Sequence, residues 1–289
     1  MSAAARASAA APAWDRAALL ASPWLGALHG PLRALPADRF PTREDLSALA
    51  AARGVTSGGG VPLVFVAPDG VRTRSLDAQY EARIFRTGEV PTRELSRHDL
   101  FNALAWLAFP RTKAVLNRRH YEELREVSRA RGATGRPGVR GTARDVLTLF
   151  DEGGMLVACA DPELAALLRG FRWKALFCGH RAEVVAGMRF HVFGHAIHER
   201  ALAPFRGVTA KALIFPATPH ELAQPAEAQV SQADAHAAAY FDRPESLAST
   251  RLLAPLPVLG IPGWAAANAD PAYYDDVTQF RPGRRVPGP

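Results

Sequence analysis

The sequence predicts an α+β protein, with helices in runs, short β-hairpins and an extended Pro- and Gly-rich C-terminal segment from residue 255 onward. Two observations predict this class. Capping signals precede stretches with apolar residues at helical spacing, and short apolar stretches flank turn sequences instead of alternating strictly with helices. The chain has 289 residues, of which 48% are hydrophobic, so it can bury a substantial core. We expect a flexible leader over residues 1–12 and a single domain over residues 13–289.

Capping residues predict several of the helices. Thr42 with Asp45 and Ser96 with Asp99 form capping boxes, and Asp161 precedes a proline that suits a first helical position. Apolar residues at helical spacing extend these signals and predict the others. The predicted helices are one or two short ones within 14–35, and then 42–54, 100–109, 112–131, 162–170, 196–202 and 231–240.

Short apolar stretches beside turn residues predict the strands. Residues 63–66 run into Asp69-Gly70, a tight turn that indicates a hairpin. Asp151-Glu152-Gly153-Gly154 lies between two apolar stretches, 146–150 and 155–158, and indicates a second hairpin. Further extended segments are predicted at 190–193 and 212–215. The aromatic residues of the C-terminal segment are expected to wrap over the core.

The positive charge of the chain is local. Lys and Arg number 35 against 28 Asp and Glu, and residues 111–144 hold ten of the basic residues but three of the acidic ones. Such a segment, with a basic loop near 131–142, could attract an anionic small molecule or a nucleic acid. A solvated basic face is the other interpretation, and Tyr121 is the one aromatic residue in the segment that could stack on a base.

Several classes of protein are disfavoured by what the sequence lacks. No stretch reaches the roughly 20 apolar residues of a membrane span, and residues 1–12 lack the apolar stretch of a secretory signal. The two cysteines, Cys159 and Cys178, make neither a disulfide framework nor a zinc-ligand pair. Phosphate-binding loops and serine-hydrolase elbows are absent as motifs. These observations predict a cytoplasmic protein with no membrane partner.

The helix around residues 97–109 carries a polar stripe within apolar surroundings. A step of about 100° per residue places His98 and Asn102 close together, with Asp99 at the edge of the stripe. Buried polar groups need partners, so this stripe predicts either a bound metal or substrate, or ordinary capping and backbone contacts.

A second candidate is the run of His191, His195, His198 and Glu199. Helical spacing would place these side chains on one face, as metal ligands from one helix require, but their order differs from the zinc-protease motif. Phe193, Ile197 and Ala201 form an apolar stripe on the other side, which favours an exposed polar face for the histidines. A metal site is expected only if His98 and Asp99 converge with His195 and Glu199.

Three functional hypotheses follow, and the first is a metal-dependent hydrolase of an anionic, phosphoester-like substrate. A divalent zinc, manganese or iron ion is its cofactor. Its metal ligands are His98, Asp99, His195 and Glu199, while Asn102 orients the substrate, and Arg111 and Arg118 hold the anionic group. Asp151 and Glu152 either complete this site or are turn residues. The alternatives are a nucleic-acid-associated protein that uses residues 111–144 and a non-enzymatic interaction or regulatory protein.

Five motifs support a resemblance that spans most of the chain after about residue 60. They are the run RHDLFNALAWLAFPRTKAVLN at 97–117, LTLFDE at 147–152, FGHA at 193–196, TAKAL at 209–213 and PVLGIPGW at 257–264. The chain resembles a proteobacterial family known only as a domain of unknown function. This resemblance implies a bacterial protein, and it carries no activity, cofactor or catalytic residue with it.

Overall fold

The structure is a computed structural model that describes residues 14–68, 79–134 and 141–283, with the side chains of residues 130–134 left aside. Its α-helices are α1 (Arg16–Ala21), α2 (His29–Ala34), α3 (Arg43–Ala52), α4 (Tyr80–Thr87), α5 (Arg97–Ala108), α6 (Pro110–Thr134), α7 (Thr142–Gly153), α8 (Pro162–Arg169), α9 (Arg181–Gly187), α10 (His195–Arg200), α11 (Pro219–Leu222) and α12 (Ala226–Asp242). Its strands are β1 (Val64–Val66), β2 (Glu89–Pro91), β3 (Gly154–Cys159), β4 (Met188–Val192), β5 (Thr209–Pro216) and β6 (Ala254–Pro257). This composition confirms the α+β class.

A mixed four-stranded sheet in the order β4-β3-β5-β6 lies at the centre of the second half of the chain. Strand β3 pairs antiparallel with β4 and parallel with β5, so it is covered at both edges. All six of its residues are buried, and successive side chains enter two different core clusters: Met155 joins the one around Phe177, and Leu156 joins the one around Phe150. A strand buried on both faces explains the uninterrupted apolar sequence of this segment.

A smaller parallel pair, β1 with β2, lies in the first half of the chain. Its core cluster includes Phe65, Leu104 and Trp106, so it packs against helix α5. Helix α5 and the longer α6 are joined at Phe109 and Pro110, which breaks the backbone ladder because proline has no N–H to donate. The two helices in series were predicted by the sequence and are confirmed.

The capping box at Thr42 is confirmed, and so are side-chain caps at Ser96 and Asp161, although the Asp99 carboxylate accepts from Arg93 instead of closing a box with Ser96. The Thr42 hydroxyl accepts from the Asp45 backbone N–H, while the Asp45 carboxylate accepts from the Thr42 N–H. Ser96 caps α5 through the Asp99 N–H, and the Asp161 carboxylate caps α8 through the N–H of Glu163. The predicted helix over 231–240 also exists, but it begins earlier, at Ala226.

The predicted hairpin around Asp151-Glu152-Gly153-Gly154 is wrong. Residues 142–153 are helix α7, and strand β3 begins directly after it at Gly154. Val146, Leu147 and Phe150 are fully buried on one side of that helix, so their spacing reflects a helical face and not a strand. The Asp69-Gly70 turn, the leader over residues 1–12 and residues 135–140 of the basic loop near 131–142 lie outside the described residues.

The C-terminal segment packs on the core, as its aromatic residues predicted. Its regular structure is limited to strand β6 and short 3₁₀ turns. Tyr274 and Phe280 are buried in the cluster around Phe177, and the Tyr274 hydroxyl donates to the Gly260 carbonyl at 3.0 Å. Trp264 stacks on Trp24, which ties this segment to the beginning of the chain. No helix within the described part of the chain is long and apolar enough to cross a membrane.

Candidate metal centre

Three side chains from three helices meet at the end of α7, and we call them the histidine cluster: His98, Glu152 and His195. Each offers one ligand atom, and these atoms all lie within 4.8 Å of one another. His98 belongs to the first turn of α5, Glu152 to the last turn of α7, and His195 is the first residue of α10. Two imidazoles and one carboxylate are a donor set that zinc, manganese and iron accept in proteins.

Backbone contacts bring Glu152 and His195 together. The N–H groups of Phe193 and Gly194 both donate to the carbonyl of Gly154, at 3.0 and 2.9 Å. A Cβ atom on Gly194 would lie 2.4 Å from the Glu152 carbonyl oxygen and 2.5 Å from the Gly154 nitrogen. Residue 194 must therefore be glycine for the start of α10 to approach the end of α7 this closely.

One member of the histidine cluster is buried and the other two are partly exposed. His195 Nε2 lies 3.5 Å from Glu152 Oε2, and the rings of His98 and His195 meet edge to face with centroids 4.7 Å apart. The His195 side chain is 6% exposed, whereas those of His98 and Glu152 are 40% and 47% exposed. An ion held here would keep coordination positions that face solvent, as catalytic metal sites do.

Each histidine of the cluster has a second carboxylate on its Nδ1 side. Glu199 Oε2 lies 3.4 Å from Nδ1 of His98, and Asp151 Oδ2 lies 3.6 Å from Nδ1 of His195. The His195 Nδ1 atom is buried and has no hydrogen-bond partner at the usual distance. In metal sites, carboxylates at this position fix the tautomer and orientation of the ligating imidazole.

Asp151 belongs to a chain of polar contacts that runs from the buried Lys113 to the exposed Tyr80, and we call it the Lys113 network: Lys113, Asp151, Asn102 and Tyr80. Lys113 Nζ donates to Asp151 Oδ1 at 2.6 Å and to Asn102 Oδ1 at 2.9 Å, and Asn102 Nδ2 donates to the Tyr80 hydroxyl at 2.9 Å. Lys113 also lies over the Trp106 ring at 5.2 Å. This network holds Asp151 in place beside His195.

The carboxyl groups beside the histidines favour the anionic form. Burial acts to raise the pKa of Asp151, but the charges of Lys113 and His195 outweigh it and bring the pKa below its usual value. Contact with His195 lowers the pKa of Glu152, against a smaller opposing effect of burial. With Lys113 already paired to Asp151, the negative charge of Glu152 lies against two imidazoles, which favours a cation at this point.

The structure brings together His98, His195 and Glu199, three of the four ligands predicted from sequence. Asp99 lies elsewhere, because its carboxylate accepts from the backbone N–H, Nε and Nη2 of Arg93, at 2.7 to 2.9 Å. Asp99 also stabilises the first turn of α5 through its N–H, which Ser96 accepts. A capping residue paired this fully with an arginine has no free oxygen for a metal.

The three residues predicted to handle substrate lie in three different places. Both polar atoms of the Asn102 amide are used inside the Lys113 network. Arg111 is exposed at the start of α6, where its backbone N–H donates to Asp234. Arg118 pairs with Glu122 and with Asp242. Among the described residues, no hydrogen bond or ion pair joins either arginine to the histidine cluster.

Some of the basic side chains of helix α6 form ion pairs with acidic residues of the protein. Arg119 pairs with Glu122 at 2.9 Å, as Arg118 does at 3.3 Å. Tyr121, which a nucleic-acid interface would need as a stacking surface, is stacked on Phe85 with ring centroids 4.0 Å apart. These contacts give no support to a nucleic-acid site on this part of the helix.

The expectation that the histidines of 191–198 face solvent is wrong, because His191, His195 and His198 are all buried. Helix α5 packs against His195 and His198: His98 meets the His195 ring, and Phe101 stacks on His198 with centroids 6.0 Å apart. Nε2 of His198 donates to the Val192 carbonyl at 3.0 Å. Burial lowers the pKa of His198 to about 3 and that of His191 to about 4, so both imidazoles are neutral.

Sequence reasoning undervalued Glu152 and Asp151 and missed Lys113 and Tyr80. The carboxylates were assigned to a turn because two glycines follow them, although the buried spacing of Val146, Leu147 and Phe150 already indicated a helix that ends there. Lys113 carried no local signal, since its partners lie 11 and 38 residues away along the chain.

Comparison with known proteins decides the family of this chain. The family model described as protein of unknown function (DUF3025) matches residues 63–284. The chain belongs to the DUF3025 family. The match includes His98, Glu152 and His195, so the histidine cluster lies within the DUF3025 region. No curated protein and no solved structure matches the chain.

Proposed function

We propose that this protein is a metal-dependent hydrolase of anionic esters, whose divalent ion is held by His98, Glu152 and His195. The observation that carries the proposal is the meeting of these three side chains from three separate helices within 4.8 Å. Their set of two imidazoles and one carboxylate matches that of hydrolytic zinc sites, which keep a position for water. The exposed side of the cluster gives a substrate access to that position.

The residues around the ion have distinct roles in this proposal. Glu199 and Asp151 orient His98 and His195 through Nδ1, which leaves Nε2 of each ring to bind the ion. Lys113 keeps Asp151 anionic and fixed. A divalent ion held by these residues would supply Lewis-acid chemistry, at an attacking water and at the ester oxygen. Hydrolysis would form a bond from the water oxygen to the phosphorus and break the bond to the leaving alcohol, which would take up the proton that the water loses.

Metal content is the first test. We would remove any affinity tag, strip the protein with chelator, and titrate zinc, manganese and ferrous iron by calorimetry. The expected result is about one tightly bound ion per chain, lost in His195→Ala and Glu152→Gln. His180→Ala is the matched control, because His180 is an exposed histidine that pairs with Glu183 outside the cluster. Absence of binding in the wild-type protein would rule out the metal site.

Activity is tested separately with bis(p-nitrophenyl) phosphate and p-nitrophenyl phosphate, using the protein loaded with each metal. We expect phosphoester hydrolysis that depends on the metal and disappears in His195→Ala. A protein that binds the ion stoichiometrically but hydrolyses neither ester nor p-nitrophenyl acetate would retain the metal centre and contradict the hydrolase. A preference for iron alone without hydrolysis would point to oxygen chemistry, which the same ligand set supports.

A further inference from the structure

A pocket away from the histidine cluster is lined by three arginines. It has a volume of about 360 Å³ and lies between helix α2, the α5–α6 junction and helix α12. Its basic side chains are Arg33, Arg53 and Arg111, and its lining shares no residue with the histidine cluster. Pockets of this size commonly hold small molecules. We call it the arginine pocket.

Two of these arginines have guanidinium groups without a partner in the part of the chain that the structure describes. Among the described residues, neither Arg33 nor Arg111 makes a hydrogen bond or ion pair through its guanidinium group, whereas Arg53 Nη1 donates to the Leu107 carbonyl at 3.2 Å. Many other arginines of the chain pair with carboxylates, as Arg93, Arg118 and Arg119 do. Guanidinium groups that converge without a carboxylate partner are the usual setting for an oxyanion ligand.

The two acidic residues of the pocket do not neutralise it. Both carboxylate oxygens of Asp234 accept backbone N–H groups at the start of α6, from Arg111 at 3.0 Å and Thr112 at 2.8 Å. Glu227 is exposed at the rim. The charge of Glu227 acts on Arg53, and Asp234 is used by the start of α6, so Arg33 and Arg111 are the two cations of the pocket without a carboxylate in an ion pair among the described residues.

A further polar atom in the wall has no partner. Nε2 of His29 is buried and makes no hydrogen bond, although His29 lines the pocket. Burial, and to a lesser extent the charge of Arg33, lower the pKa of His29, so the ring is neutral and can donate or accept one bond. The apolar part of the lining, which includes Pro31, Leu107 and Val230, suits the body of an organic molecule.

A small residue at position 30 keeps part of the pocket open. A Cβ atom on Gly30 would lie 3.5 Å from Glu227 Oε1 and 3.6 Å from Arg53 Nη2, in ordinary van der Waals contact with both. Alanine therefore fits at residue 30, but a larger side chain would extend into the pocket. From these observations we infer that the arginine pocket binds a small organic oxyanion, a phosphate or carboxylate group on a compact apolar body.

The test uses phenyl phosphate and benzoate as probes, which differ in the oxyanion and share the apolar ring. Binding is measured by calorimetry at low ionic strength, with chelator present so that no metal at the histidine cluster can hold the anion. We expect at least one probe to bind wild-type protein with a dissociation constant below about 10 mM. Whichever probe binds more tightly identifies the oxyanion class. Failure of both to bind would overturn the inference.

Variants locate the binding. Arg33→Gln and Arg111→Gln should each weaken it about tenfold, since each removes one charge-assisted contact worth roughly 1.5 kcal/mol or more. Arg172→Gln, which changes an exposed arginine outside the pocket, should leave affinity unchanged. Gly30→Leu should abolish binding while Gly30→Ala retains it, with far-UV circular dichroism to show that all five variants fold. Equal losses in the pocket variants and in Arg172→Gln would show general charge attraction and contradict the site.

Because the pocket and the histidine cluster share no residue, the two proposals can fail separately. His195→Ala should lose the metal and keep the oxyanion, whereas Gly30→Leu should lose the oxyanion and keep the metal. A variant at either place that lost both ligands while remaining folded would contradict two independent sites.

Discussion

The histidine cluster and the arginine pocket lie near opposite ends of helix α5, and they differ in how their charged side chains are paired. In and behind the histidine cluster, charged groups lie against partners inside the protein, as Lys113 does against Asp151 at 2.6 Å. In the arginine pocket, the guanidinium groups of Arg33 and Arg111 have no such partner among the described residues. Substitutions in the first region are therefore expected to change the stability of the fold, whereas substitutions of Arg33 and Arg111 are expected to leave it nearly unchanged.

The largest effect is expected at Lys113. In Lys113→Met, Asp151 would lose its cation while its side chain is only 20% exposed. Losing one partner of a fully buried pair costs roughly 3–5 kcal/mol, so we expect a loss toward the lower end of that range. Urea denaturation of the metal-free protein measures this change. Adding Asp151→Asn should recover much of the loss, because the uncompensated charge is removed. A Lys113→Met variant within about 1 kcal/mol of wild type would show that the Lys113 network carries little of the fold.

Acid should weaken the metal-free protein through its buried histidines. The pKa values of His198 and His191, about 3 and about 4, lie below the value near 6.5 expected in the unfolded chain. The unfolded chain thus binds more protons below pH 6.5, and each histidine lowers the free energy of unfolding by roughly 1.4 kcal/mol per pH unit toward pH 4. Arginines of the pocket keep their charge throughout this range.

Denaturation curves in chelator from pH 7.5 to 4.5 measure that slope. His198→Gln retains a donor for the Val192 carbonyl but cannot titrate, so its slope should be shallower by one histidine. A free energy of unfolding that stays constant down to pH 4.5 would contradict the neutral, buried state of these rings.

Substitutions of the adjacent residues Glu152 and Asp151 distinguish a proposed metal ligand from a residue that orients a ligand. Glu152→Gln should raise the dissociation constant for zinc by more than about 100-fold, with little loss of stability because Glu152 is half exposed. Asp151→Asn should raise it by roughly 10- to 100-fold, since it acts through His195. Zinc titration with a competing chelator measures both values. The reverse order of effects would assign the ligand to Asp151.

The smallest effect on stability is expected in the arginine pocket. Arg33→Gln removes an exposed, unpaired guanidinium, and surface substitutions of this kind usually change the free energy of unfolding by less than about 0.5 kcal/mol. Thermal unfolding of wild type and variant at pH 7 is the measurement. A clear destabilisation would mean that the pocket arginines support the fold as Lys113 does.

Local signals predicted much of the fold. Capping at Thr42, Ser96 and Asp161 depends on side chains within three residues, so it can be read directly from the sequence. The end of helix α7 could not be read this way. Its Asp-Glu-Gly-Gly sequence suits a turn, and the strand that follows is defined by pairing with β4 and β5, whose paired residues lie 29 or more positions away.

Three of the four residues predicted as metal ligands, His98, His195 and Glu199, lie together in the structure, whereas Glu152 was not among them. His98, His195 and Glu199 were chosen because their residue types bind metals, and their meeting depended on the packing of α5 against α10. That same packing buries His195 and His198. The apolar stripe on the other side of α10 had led us to predict that these histidines are exposed. The residue pattern of one helix does not show where a second helix packs. The burial of a polar helix face therefore cannot be predicted from local sequence.

The glycine at residue 194 has a consequence for how this protein can change over time. Glu152 and His195 lie close together because the main chains of their two segments are in direct contact. No side chain lies between these segments at that point, so a change in the size of an existing side chain cannot alter their separation there. Substitutions elsewhere in the core can accumulate without altering the separation of these two residues. At residue 194 even one added methyl group would push the segments apart, so in a saturation library screened for metal retention this position should accept glycine alone.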